Sequence, residues 1–160
     1  LHGGANEQVM RMLLEIGSPD HCEQWIDDAL TAKRKVMGFG HRVYREGDPR
    51  ARILRAMSER LTRETGHPEY YEMSARIDDL MQSKKGLLPN VDFYSATVYH
   101  SLQIPVDLFT PVFAMSRVSG WCAHVLEQYQ NNRIYRPRGR YTGPTGLVYE
   151  PIERRSQSRP

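Results

Sequence analysis

The chain has 160 residues, a net charge of +3, 39% apolar residues and 9% aromatics, enough for one modest core. No apolar run approaches the ~20 residues a membrane span needs, because the longest, Leu108 to Val125, is broken by Ser116, Arg117 and Ser119. The chain begins at Leu1, inside a motif and without an initiator Met, so further polypeptide is expected upstream, with any targeting segment on it.

The periodicity is helical nearly throughout. Asn6 is expected to cap a first helix to about Ile16, with Val9, Met10, Leu13 and Leu14 on one face and Gly17-Ser18-Pro19 as its stop. A second helix is expected from Asp20 to about Lys33, burying Trp25, Ile26 and Leu30. A glycine-punctuated loop follows over 35–47. Asp48-Pro49 then sets a cap and a first-turn proline for a third helix, striped by Ile53, Leu54, Met57 and Leu61. A fourth covers roughly 68–83, with Tyr71, Ala75, Ile77, Leu80 and Met81 inward. Asn90 or Asp92 opens a fifth, to about Leu102, and the apolar segment 107–131 is expected to be one or two buried helices. Residues 133–160 hold four prolines and three glycines and are expected to form an extended arm and a frayed end. No strand alternation persists, so the fold class is all-α. Cys22 and Cys122 have no metal-ligand spacing and are expected to be buried or partly buried free thiols of a reducing compartment.

Chemistry concentrates where the backbone turns. His2 precedes Gly3-Gly4 and a helix start. It is either an exposed bystander or a neutral imidazole, its pKa lowered by the helix end, able to donate to an oxyanion. His41 lies between Gly40 and Arg42, where it either satisfies loop backbone or meets a ligand that Gly38 and Gly40 let approach. Arg50 sits in a first helical turn, against the dipole, as a solvated arginine or one with an anion to hold. Asp92 is either a helix cap or first-turn acid, or a general base at the mouth of a cleft. Arg117, within apolar Val112–Val125, is expected to be a buried charge in need of an anion, with no acid within a turn of it. Seven arginines and no lysine follow residue 132, a composition suited to carboxylates, phosphates or an anionic surface, but too poor in interleaved aromatics to stack bases.

Five strings in order bring these residues together: Leu1-His2-Gly3-Gly4-Ala5-Asn6; Gly38-Phe39-Gly40-His41-Arg42-Val43-Tyr44 with Asp48-Pro49-Arg50; Pro89-Asn90-Val91-Asp92-Phe93-Tyr94-Ser95; Ser116-Arg117; and Arg133 to Arg138 with Tyr141-Thr142-Gly143-Pro144. In that order and spacing they resemble the citrate synthase family, nearest its shorter bacterial and archaeal forms or the related 2-methylcitrate synthases. The resemblance runs from residue 1 to about 150. It implies that Asp92 takes a proton from the methyl group of acetyl-CoA, that His2 stabilises the enolate, and that His41 polarises and protonates the oxaloacetate carbonyl. It implies that His41, Arg50 and Arg117 hold oxaloacetate, with Arg136 donated across a homodimer interface. Val36, Met37, Gly38, Phe39, Gly40, Arg45 and Asn90 are implied at the CoA, with Arg45 near a phosphate. No cofactor, metal, nucleic acid or membrane is implied, and the expected compartment is the cytoplasm. Residues 3–103 correspond to a small CoA-side domain and 104–160 to the last helices and arm of a larger one. With the rest of that domain missing, the apolar faces around Phe109–Val125 should lack partners and the chain should have little activity alone. Propionyl-CoA as substrate is the runner-up; a non-enzymatic helical module with a basic tail is a distant third.

Overall fold

A computed structural model of the chain describes residues 4–155. The described residues form α-helices, short 3-10 turns and one isolated bridge pair, Phe39 with Pro89, so the all-α expectation holds. The chain divides into two units, residues 1–124 and 125–160, and each is described by itself.

The first unit carries α1 (Ala5–Ile16), α2 (Cys22–Thr31), α3 (Pro49–Glu64), α4 (Glu69–Lys85), α5 (Val91–Ser101) and most of α6 (Phe109–Gln130). α5 is the centre: it packs on α3 and α1, while α2 lies on α4. Its run Phe93 to Val98 is buried on every side, which is why it shows no clean apolar stripe. Around it close Val9, Met10, Leu13, Ile26, Met73, Ile77, Met81 and Phe109.

Several sequence expectations are revised by packing. Asn6 does not cap α1: Gly4 is the cap, and Asn6 is buried in the first turn, because that turn is pressed into the interior. The second helix is shorter than expected, a 3-10 turn at Pro19–His21 followed by α2. Of its three inward candidates only Ile26 is fully buried; Trp25 and Leu30 are half-buried. On α3 the buried positions are Ala51, Ser58 and Thr62, with Ile53 62% exposed. Small residues let α3 approach α5 closely, sealed by the Ser58 and Thr97 hydroxyls at 2.6 Å; the larger Leu54, Met57 and Leu61 flank that seam half-buried. On α4, Met73, Ser74 and Asp78 join Ile77 and Met81 inside, and Tyr71, Ala75 and Leu80 are half-buried. Asp78 is held by Tyr94 Oη (2.7 Å), Gln82 Nε2 (2.7 Å) and Arg55 Nη1 (3.2 Å), a buried acid satisfied by three donors.

The segment 107–131 is one continuous helix after a 3-10 turn, and only Phe109 of α6 is buried. Its apolar residues Met115, Val118 and Trp121 face solvent. Cys22 is buried and Cys122 is exposed; both are free thiols, so burial was correctly expected for one of them. The second unit, beyond the end of α6, has irregular backbone apart from a 3-10 turn at Ile152–Arg154.

Candidate active site

The site is built where the loop after α2 crosses the start of α5. α2 ends as Lys33 takes a left-handed conformation (φ +54°) and the Arg34 N–H donates to Ala29 O at 2.8 Å. The loop then runs antiparallel to 88–90: Gly40 N–H donates to Leu88 O (2.9 Å) and Asn90 N–H to Gly38 O (2.8 Å). Gly38 is required there. Its φ is +86°, and a Cβ would stand 2.9 Å from Phe93 Cβ, so only glycine lets the loop lie on the helix. Both Gly38 and Gly40 are tied down by these backbone bonds.

Asn90 joins the two strings. Its Oδ1 accepts from Asp92 N–H at 3.0 Å, capping α5, while its Nδ2 donates to Gly40 O at 2.9 Å. Asn90 is thus the cap rather than Asp92, and Asp92 is the first-turn acid that the other half of its structural alternative describes. It stands half-buried in the first turn of α5, where the helix end favours a carboxylate.

His41 has its tautomer set by backbone. Nδ1 accepts from Val43 N–H (3.0 Å) and Tyr44 N–H (3.1 Å), and the ring lies 4.4 Å from that of Tyr44. A ring nitrogen that accepts two amides carries no proton, so in the neutral imidazole Nε2 is the donor.

Arg50 is explained by its neighbour. Asp48 caps α3 through Arg50 N–H (3.0 Å) and holds the Arg50 fork side-on, Nε to Oδ1 at 2.9 Å and Nη2 to Oδ2 at 2.7 Å. Burial alone would raise the Asp48 carboxyl, but the hydrogen bonds and charge of Arg50, with Val91 N–H at 3.1 Å, hold it below the usual carboxylate range. Arg117 departs from expectation. It is exposed on α6, its guanidinium 5.6 Å from the Phe113 ring centre, because that face of α6 is open to solvent.

A cleft of about 840 Å3 gathers these groups. Val36, Met37, Gly38, Phe39, Gly40, His41, Arg50, Asn90, Asp92 and Arg117 all line it. Arg45 is exposed on the same loop and is not among the lining residues. Arg136 is exposed in the second unit, and His2 lies outside the described residues. Sequence reasoning missed Arg34, Lys35 and Lys85, which also line the cleft and, with Arg42, Arg50 and Arg117, set six cations against Asp92. The signal was present in Lys33-Arg34-Lys35 before the glycine loop and Lys84-Lys85 before Gly86. Such a wall suits a polyanion. Among the described residues no three His, Cys, Asp or Glu side chains are placed to hold a metal.

The chain is similar to known proteins over nearly its whole length. The sequence profile of the citrate synthase C-terminal domain matches residues 1–138. Citrate synthase 2 of Bacillus subtilis is 62% identical over 98% of this chain and 42% of its own length. A second B. subtilis relative, citrate/2-methylcitrate synthase, is 49% identical over 90% of this chain and 39% of its own. Among solved structures, citrate synthase from Thermoplasma acidophilum, in ternary complex with carboxymethyl coenzyme A and oxaloacetate, superposes with TM-score 0.85 at 39% identity, covering 97% of this chain and 43% of that one. The chain thus spans about two fifths of the length of the curated relatives it matches. On the profile match and these identities together, the chain belongs to the citrate synthase family.

Proposed function

We propose that this chain provides the carbon–carbon bond-forming centre of a citrate synthase, which joins acetyl-CoA, oxaloacetate and water to give citrate and CoA. The observation that carries the reading is a cleft holding a first-turn carboxylate, an imidazole with Nε2 as donor, and four arginines, Arg50 and Arg117 among them. The T. acidophilum structure, a complex with carboxymethyl coenzyme A and oxaloacetate, supports the choice of ligands. Asp92 removes a proton from the acetyl methyl group, and His2 donates a hydrogen bond to the thioester oxygen as the enolate forms. The enolate carbon attacks the keto carbon of oxaloacetate. His41 protonates the resulting alkoxide from Nε2, and hydrolysis of citryl-CoA releases the thiol. Arg50 and Arg117 fork the two carboxylates, joined by Arg136 from the partner subunit of a homodimer.

Val36 to Gly40 and Asn90 lie along the CoA, with Arg45 near a phosphate. Residues 3–103 form the CoA-side domain and 104–160 belong to the larger one. The chemistry calls on no cofactor, since both substrates are already activated for it. A reducing, cytoplasmic setting suits the two free thiols. The citrate/2-methylcitrate synthase relative supports a second reading, in which propionyl-CoA is the acyl donor.

The test is a chimera that joins the N-terminal part of B. subtilis citrate synthase 2 to this chain. Oxaloacetate-dependent release of CoA thiol from acetyl-CoA is expected, and Asp92→Ala should lower turnover by at least ~10²-fold with little change in affinity. Arg117→Leu should mainly raise the KM for oxaloacetate. A folded chimera that releases no thiol from acetyl-CoA or propionyl-CoA overturns the reading; preference for propionyl-CoA selects the second.

A further inference from the structure

Asp48 does more than a helix cap needs. A cap requires one acceptor, and Oδ1 supplies it to Arg50 N–H. The side chain is nevertheless completely buried and uses both oxygens. Oδ1 also takes Arg50 Nε, and Oδ2 takes Arg50 Nη2 and, across the chain, Val91 N–H. Four N–H donors therefore converge on one carboxylate.

Two consequences follow from this geometry. A guanidinium has a side-on edge, Nε with Nη2, and an end-on edge, Nη1 with Nη2. Asp48 occupies the side-on edge, which leaves the end-on edge of Arg50 for a ligand carboxylate in the cleft. The second consequence concerns α5. Val91 is the residue between the cap Asn90 and Asp92, so its amide fixes the turn on which Asp92 stands. The Arg50 guanidinium feels the charge of both acids.

We propose that Asp48 is a positioning residue, which aims the open edge of Arg50 into the cleft and anchors the first turn of α5, setting the carboxylate fork and Asp92 as one unit. The proposal rests on the roles given to Arg50 and Asp92 under Proposed function. Asp48 touches no substrate in it.

Asp48→Asn and Asp48→Ser both retain a capping oxygen, so α3 keeps its start while the charge and the bridge to Val91 are lost. In the 160-residue chain, amide exchange followed by NMR should quicken at Val91 by about tenfold or more, as expected for a lost charge-assisted hydrogen bond. The Ala96 amide, deeper in α5, should not change. In the Bacillus chimera both variants should raise the KM for oxaloacetate and lower kcat, each by about tenfold. The acid limb of kcat should move to lower pH, because Asp92 loses an anionic neighbour.

Val91 protection unchanged in both variants overturns the proposal, as do kinetic constants within about twofold of the parent with an unmoved acid limb. A parent chimera without activity removes the citrate synthase reading instead, and the Val91 exchange then still decides the anchor.

Discussion

Cys22 and Cys122 show how far one residue type can diverge within a fold. Cys22 sits at the start of α2 with its Sγ 3.8 Å from Ser18 O and 3.9 Å from Met73 O, and burial pushes its thiol up to about 11. Cys122 is exposed on α6. A thiol reagent at pH 8 should therefore modify one cysteine of the native chain at once and the second only on unfolding; mass analysis should place the fast label on Cys122. Asp48 gives the matching pH prediction. Its folded pKa is held below the unfolded value, so its contribution is complete above the unfolded pKa near ~4 and is lost as pH falls through the lower, folded one. Urea midpoints measured from pH 6 to 2 should fall along that limb, and Asp48→Asn should flatten it. At this scale the sequence was legible where a turn residue stood beside a titratable one, as at Asp48-Pro49 and Asn90-Val91-Asp92. It misled for Arg117, since apolar neighbours in sequence do not reveal whether a helix face is covered.

Among the elements, the loop from 36 to 48 matters most, for it brings His41 and Arg50 to the end of α5 where Asp92 stands. Its register depends on Gly38. Replacement by alanine adds a Cβ 2.9 Å from Phe93 at a positive φ, a backbone state and a contact that an L residue cannot both accept. Gly38→Ala should cost about 1–3 kcal/mol in urea unfolding, with a loss of the Phe39–Phe93 ring contact visible by NMR. The spacing of glycines in the sequence flagged this loop as a place of ligand approach, and the structure adds that Gly38 also packs closely on Phe93. Helix faces were legible only in part. On α3 the apolar residues flank the contact and small ones fill it, because two helices can come closest where side chains are short. A periodicity count favours large residues and so turned that helix slightly the wrong way.

For the whole molecule, the decisive feature is the uncovered face of α6. Met115 is 74% and Trp121 55% exposed, with Val118 beside them. Such a strip favours association when nothing covers it. Sedimentation velocity on the 160-residue chain should show mass rising with concentration, and Met115→Lys with Trp121→Glu should return it to monomer. Measured alone, the same chain should release little CoA thiol, since it spans about two fifths of its curated relatives.

The sequence by itself determined the all-α class, the capped starts of α3 and α5, and the family, because caps, prolines and ordered motifs are local and need no neighbour to be recognised. Only the tertiary structure decided that His41 donates from Nε2, that Asn90 rather than Asp92 caps α5, and that Asp48 ties Arg50 to that helix. Each of these depends on which backbone amide a side chain finally meets: Val91 reaches Asp48 across 43 residues, while the bonds to His41 and Asn90 span two or three residues and are decided by how the loop is folded, and neither kind leaves a periodic trace in the chain.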